Sequence, residues 1–260
     1  MTKVGFIGAG QMGMPMVRRL HGAGINISVH ARRAEVIDEL RALGIAVVAD
    51  PSELAARVDV VEVCLFSDAQ LREVLLTGGV AASMRPGTIL LSHVTGSPAL
   101  YDELSAIVAT GVVVIDAPVS GTSAQIAVGD LTVLLGGDAG SVARVTPLLA
   151  AFASHVIHVG ERGDAQRVKL INNLLFAANV RIAGEAIRVG EAIGIDQQRL
   201  VRALGQCSGR TWALGLLEDR PFAAFEAGTR RYLDKDFGVV EQVAAELGID
   251  LGLLGKLAAS

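Results

Sequence analysis

Cysteine is scarce in this chain. Only Cys64 and Cys207 occur, far apart and outside any Cys-x-x-Cys spacing. That pattern excludes a disulfide framework and a cysteine-built zinc site, and it predicts a reducing, cytoplasmic setting. Five scattered histidines, His21, His30, His93, His155 and His158, offer no clear ligand set, so no metal is expected. His155 and His158 are expected at a strand end. A long charge-free apolar run is missing too. No stretch reaches the about 18 residues that suggest a membrane helix. One Lys and then a short apolar run at the N-terminus do not read as a secretory signal. Charge of one sign never accumulates: the net charge is −4, and the most basic clusters are the pairs Arg32-Arg33 and Arg230-Arg231. A nucleic-acid binder would present a basic face, so no such partner is expected.

What is plentiful is apolar residue. Hydrophobic side chains make up 51% and charged ones 19%. A sizeable core can therefore form, in one large domain or two ordinary ones. Short apolar segments at Lys3–Ile7, Asn26–His30, Ala46–Val48, Val58–Leu65, Thr88–Ser92, Val112–Asp116 and Leu131–Leu135 read as buried parallel strands. Asp59 and Glu62 interrupt the fourth. Helical spacing falls between them at Gln11–Ala23, Ala34–Leu43, Asp68–Leu76, Ala99–Ala109 and Ser141–Phe152. Strands alternating with helices predict βαβ units and a doubly wound α/β sheet.

The rhythm changes after Gly163. From Ala165 to Ile193 there is no Pro and no strand signal. A helix of roughly 25 to 30 residues there would run about 40 Å. Further helices are predicted at Gln197–Gly205, roughly Thr211–Leu217 and Lys235–Leu247. Gly160–Gly163 is thus the expected boundary between an α/β domain, 1–162, and an all-α domain, 163–260, joined by the long helix.

The first strand leads into Gly8-Ala9-Gly10-Gln11-Met12-Gly13 and then a helix. In such a loop the first glycine permits the tight turn, the second lets the backbone approach a pyrophosphate, and the third lets helix and strand pack closely. The position of the motif at the head of a βαβ series predicts a Rossmann domain binding a nicotinamide dinucleotide. At the end of the second strand, where an acid would hold a ribose 2′-OH, the chain has His30-Ala31-Arg32-Arg33. Guanidinium groups suit a 2′-phosphate, so NADP is expected, with NAD as the alternative. Ordinary solvated arginines opening a helix would read the same way.

Two more segments carry candidate chemistry. Asp116-Ala-Pro-Val-Ser120-Gly121-Thr122-Ser123 follows a strand, where ligands bind in open α/β sheets. Its N–H groups and hydroxyls can hold a carboxylate, although a Ser/Gly turn is common. Lys169 and Asn173 are four residues apart, on one face of the long helix. That pair suits a proton donor and its orienting partner, or a surface Lys beside a polar neighbour. Lys235-Asp236-Phe237 is expected to open a later helix as a solvated charge pair.

Taken together, these residues resemble the β-hydroxyacid dehydrogenase family, which contains 3-hydroxyisobutyrate dehydrogenases and semialdehyde reductases. The likeness rests on Gly8-Ala-Gly-Gln-Met-Gly-Met-Pro-Met16, Thr95 with Pro98, Asp116-Ala-Pro-Val-Ser-Gly121 with Gly129-Asp-Leu-Thr132 and Gly136-Gly137, Lys169-x-x-Asn-Asn173, and Lys235-Asp236. It covers nearly the whole chain. The resemblance implies Lys169 as catalytic acid/base and Asn173 as its orienting or substrate-binding partner. It implies Ser120, Gly121 and Thr122 around a substrate carboxylate, and Thr95 and Lys235 near the nicotinamide. Leu65 and Phe66 would pass the adenosine side. The implied substrate is a small carboxylate-bearing aldehyde or hydroxy acid. A lysine in that role needs its pKa lowered toward neutrality.

The chain departs from the family at several points. Gly121-Thr122 stands where Gly-Gly is usual, Ser92-His93-Val94-Thr95 replaces Asp-x-Ser-Thr, and Ala31 replaces an Asn. Family members usually continue for roughly 30 residues beyond the position of Ser260, so the C-terminal domain is expected to be shortened and to expose apolar surface. Apolar helical segments there favour a homodimer or homotetramer. An imine-reductase-like relative and a non-catalytic dinucleotide-binding protein are the alternatives. Lys169 argues against the first, and Lys169 with Asn173 against the second.

Overall fold

The computed structural model describes residues 2–259. β1 (Lys3–Ile7), buried from Val4 onward, leads through the glycine loop into α1 (Gly13–Gly22). β2 (Asn26–His30) lies parallel to β1, with Phe6 opposite Val29. α2 (Ala34–Ala42) then returns the chain to β3 (Ala46–Val47) at the sheet edge. α3 (Pro51–Ala55) is capped by Asp50, whose carboxylate accepts from Ser52 N at 2.9 Å. β4 (Val60–Val63) enters on the other side of β1. The strand order therefore reverses at β1, and the crevice beyond β1 and β4 is the usual ligand position in such sheets.

α4 (Asp68–Arg72) runs into a π-helical stretch, Glu73–Thr77, and α5 (Val80–Ser83) follows. β5 (Ile89–Ser92), α6 (Pro98–Ile107) and β6 (Val113–Asp116) extend the parallel sheet. β7 (Val119–Ser120) and α7 (Ser123–Val128) precede β8 (Leu131–Gly136), which runs antiparallel to β6 and β7. α8 (Ala139–Leu149) and β9 (Ala153–Gly160), parallel to β8, complete a nine-stranded sheet. Alternate strand residues bury into opposite faces. Phe6 and Leu91 join Met16, Leu20 and Phe152 on one face, and Ile7 and Leu90 join Leu71, Tyr101 and Leu104 on the other.

Helices make up the rest: α9 (Asp164–Ala192), α10 (Gln197–Gly205), α11 (Trp212–Gly215), α12 (Phe222–Leu247) and α13 (Gly252–Ala259). Contacts divide the chain into a unit ending at Lys169 and a unit beginning at Leu170. The opening of α9 belongs to the first because Asp116, at the end of β6, accepts from Gly163 N at 2.7 Å and Gln166 N at 2.9 Å. The second unit has two apolar clusters. One contains Val180, Ile187, Val201, Leu217 and Phe225, and the other Leu170, Leu174, Ala177, Val240 and Ala258.

Several expectations are corrected. Lys235 does not open a helix but lies inside α12, whose N-cap is Pro221. His155 and His158 lie within β9 rather than at a strand end. The strand expected over Val58–Leu65 narrows to β4, and the helix over Asp68–Leu76 divides into α4 and the π stretch. Glu62, an interruption in the sequence pattern, is fully buried in β4 with His93 Nε2 at 3.5 Å. Among the described residues no helix is long and apolar enough to cross a membrane, and no group of three or more His, Cys, Asp or Glu is placed to hold a metal ion.

Candidate active site

The glycine loop is shaped by three different constraints. Gly8 has φ +102°, and a Cβ there would collide with the Cys64 carbonyl oxygen on the neighbouring strand. A Cβ at Gly13 would collide with the Gly8 carbonyl oxygen, so the turn and the start of α1 require their glycines. Gly10 differs: a Cβ there would meet nothing within 4 Å. It faces open space, which is what a backbone approached by a ligand leaves. Ala9 is buried beneath the loop, and Met12 is half-buried at the N-cap of α1. The N-cap residue Met12 gives no side-chain cap to α1, and the first turn holds no acid. Its leading N–H groups and dipole therefore suit an anion. These residues fit the pyrophosphate of a dinucleotide.

At the end of β2, Arg32 and Arg33 are both exposed. Arg33 pairs with Glu35 at 3.3 Å, whereas no such ion pair is found for Arg32 among the described residues. Leu65 and Phe66 follow β4, half-buried and exposed respectively. The Cys64 thiol just before them is pushed up to about 12, chiefly by burial and then by the Glu62 charge. It is therefore no nucleophile at neutral pH.

Thr95 is half-buried in the loop after β5. Its neighbours are held by a buried network of Ser92, Tyr101 and Gln166. Burial holds the Tyr101 hydroxyl well above its ordinary range, so it stays protonated. Asp116 is also buried, and burial raises its carboxyl despite the bonds from Gly163 and Gln166. Its geometry makes it a cap for α9 rather than a proton carrier.

The loop after β7 brings Ser120, Gly121 and Thr122 together. Gly121 has φ +136°, and a Cβ there would press on Leu131 Cδ1 at 2.8 Å. Thr122 caps α7: its hydroxyl accepts from Gln125 N at 3.3 Å, and its own N–H donates to Gln125 Oε1 at 3.0 Å. Both Thr122 groups thus face Gln125. Thr122, expected beside a substrate carboxylate, is thus also half of a capping box, which the Thr-x-x-Gln spacing signals.

Lys169 and Asn173 are both buried on α9. Asn173 Nδ2 donates to Asp236 Oδ2 at 2.6 Å, and Lys235 Nζ stands 2.7 Å from Asp236 Oδ1. Lys235, Asp236 and Asn173 therefore form one chain within the second unit, shielded rather than solvated. Asp236 is the partner that sequence reasoning missed, because 63 residues separate it from Asn173.

Known proteins match the whole chain. A family described as the NAD binding domain of 6-phosphogluconate dehydrogenase matches residues 3–160. A second, described as NAD-binding of NADP-dependent 3-hydroxyisobutyrate dehydrogenase, matches residues 163–259. An L-threonate dehydrogenase of Cupriavidus necator is 34% identical over 213 residues, covering 80% of this chain and 71% of that protein. An NAD-dependent L-serine dehydrogenase of Pseudomonas aeruginosa is 31% identical, covering 100% of this chain and 91% of that one. The solved 3-hydroxyisobutyrate dehydrogenase of Mycobacterium tuberculosis with L-serine superposes with a TM-score of 0.86 at 28% identity, covering 100% of this chain and 92% of that one.

Proposed function

Because the chain belongs to the β-hydroxyacid dehydrogenase family, we propose that it is an NADP-dependent oxidoreductase interconverting a small β-hydroxy carboxylate and its semialdehyde or keto form. The observation that carries this reading is Lys169, a buried amine on the same helical face as buried Asn173, in a chain whose glycine loop fits a dinucleotide.

The roles follow from the chemistry of each group. Residues 1–162 are the dinucleotide domain, and 163–260 the helical substrate and oligomerisation domain. Gly8, Ala9, Gly10, Gln11, Met12 and Gly13 surround the pyrophosphate. Arg32, with Arg33 beside it, takes the 2′-phosphate. Leu65 and Phe66 pass the adenosine side, and Thr95 and Lys235 contact the nicotinamide end. The bound nicotinamide supplies or accepts the hydride. Ser120, Gly121 and Thr122 bind the substrate carboxylate and thereby set the carbonyl's orientation. Protonated Lys169 donates a proton from Nζ to the forming alkoxide, and neutral Lys169 removes it in reverse. Asn173, held by Asp236, orients the substrate or the lysine.

L-serine and 3-hydroxyisobutyrate share a carboxylate and a hydroxyl on the β carbon, and L-threonate carries the same pair. That common pattern defines the substrate class. A stripe of exposed apolar residues on α9, Ile171, Leu175, Ile182 and Val189, supports a homodimer or homotetramer.

Initial rates test this reading. NADPH and NADH are each offered with methylmalonate semialdehyde, and NADP and NAD with 3-hydroxyisobutyrate, L-serine and L-threonate, while glyoxylate and succinic semialdehyde, whose products are α- and γ-hydroxy acids, delimit the class. Turnover of at least one pair, faster with the phosphorylated cofactor, is expected. Dinucleotide binding with no turnover of any pair would instead support a non-catalytic binding protein.

A further inference from the structure

One side chain holds the peptide groups on both sides of Thr95. Gln166, at the start of α9, is fully buried. Its Nε2 donates to the Val94 carbonyl at 2.9 Å, and its Oε1 accepts from Gly96 N at 2.9 Å. The amide thus pairs with the residue before Thr95 and the residue after it, much as a neighbouring strand would. Its Nε2 also donates to the Tyr101 hydroxyl at 3.0 Å. That hydroxyl in turn lies 2.9 Å from the Val94 carbonyl and 3.1 Å from Ser92 Oγ. Only one orientation of the amide satisfies this set, since a flipped amide would turn N–H toward N–H. The backbone N–H of Gln166 donates to Asp116 Oδ2 at 2.9 Å, which ties the clamp to the end of β6.

Space-filling does not account for such a residue. A buried amide is costly unless it is paired, and an apolar side chain would fill the same volume. Lys169 follows three residues later, about 4.5 Å along the helix axis. We infer that Gln166 is a positioning residue, whose amide fixes the Thr95 backbone to the helix turn that carries Lys169. The cofactor-contacting hydroxyl and the proton-transferring amine then keep one register, and such sites tolerate displacements of only about 0.5 Å. The inference rests on the roles given above for Thr95 and Lys169.

Two measurements on the full chain test it. Without dinucleotide, amide hydrogen exchange of Gly96 is compared in the wild type and Gln166→Leu, with β1 amides as control. Gly96 is expected to exchange about tenfold faster in the variant while β1 is unchanged. Unchanged Gly96 exchange overturns the clamp. NADPH fluorescence titration then gives Kd for the wild type, Gln166→Leu, Thr95→Val and the double variant. Each single substitution is expected to raise Kd about tenfold, and the double to exceed Thr95→Val by no more than about twofold, because both act through one hydroxyl. Multiplying losses overturn the positioning role, as does a wild-type Kd in Thr95→Val. A purely structural Gln166 would lower Tm in both backgrounds without this coupling. A wild type that binds neither NADPH nor NADH fails the dinucleotide reading instead, and the exchange measurement still decides whether Gln166 holds Gly96. If Gln166→Leu does not fold, Gln166→Asn, which withdraws the amide by one methylene, is read in the same way.

Discussion

At the end of β2 two neighbouring arginines have different surroundings. Arg33 reaches Glu35 at 3.3 Å, while Arg32 is exposed with no such pair among the described residues. A charge left unpaired can meet a 2′-phosphate without first breaking a bond. Arg32→Ala is therefore expected to raise the KM for NADPH by about 10-fold to 100-fold, the worth of a charge-assisted bond, and to leave the KM for NADH nearly unchanged. Steady-state kinetics with both cofactors check this, and equal effects would remove Arg32 from cofactor choice. The glycine loop offers a second contrast. Gly10→Ala adds a Cβ that meets nothing in the protein, so the variant is expected to keep its Tm. It is expected to lose about tenfold or more in dinucleotide affinity, because the methyl occupies ligand space. Gly13→Ala instead drives a Cβ into the Gly8 carbonyl oxygen and is expected to lower Tm as well. Thermal melts alongside NADPH titrations separate the two.

Elements were legible where their causes are local. Two glycines forced by clashes, and apolar strands covered on both faces, leave their mark in a few adjacent residues. β1, β2 and α10 accordingly run where the pattern puts them. β9 escaped because it is largely exposed, with Ser154 and His155 breaking any apolar alternation. α3 and α5 are shorter than two turns, too short to show a period. The partners of the site were less legible still. Asn173 meets Asp236, and Gln166 meets Val94, only after the chain has folded. Helix caps lie between these cases. Asp138 caps α8 by accepting from Ser141 N at 2.9 Å, and its carboxyl is held below the usual range by the Ser141 side chain and backbone. Asp138→Ala is expected to cost about 1 kcal/mol at neutral pH. A depressed carboxyl stabilises the fold above its unfolded value of about 3.9 and ceases to do so as pH falls through its lower folded value. The wild-type advantage in urea midpoint should therefore narrow on acidification through that window, and a constant difference would contradict the charged cap.

For the whole molecule, α9 carries both the proposed proton carrier and the proposed assembly face. Lys169 and Asn173 are buried on it, whereas Ile171, Leu175, Ile182 and Val189 form an exposed stripe. The stripe spans about 27 Å of helix. Ile171→Glu with Ile182→Glu is expected to convert a homo-oligomer to monomer in light scattering; an unchanged mass would place the interface elsewhere. The role of Lys169 is decided by measuring NADPH affinity and single-turnover reduction together in the wild type and Lys169→Ala. The variant is expected to bind NADPH as tightly as the wild type and to reduce the best carboxylate aldehyde about 10²-fold to 10⁴-fold more slowly. Reduction at the wild-type rate by Lys169→Ala would contradict that role.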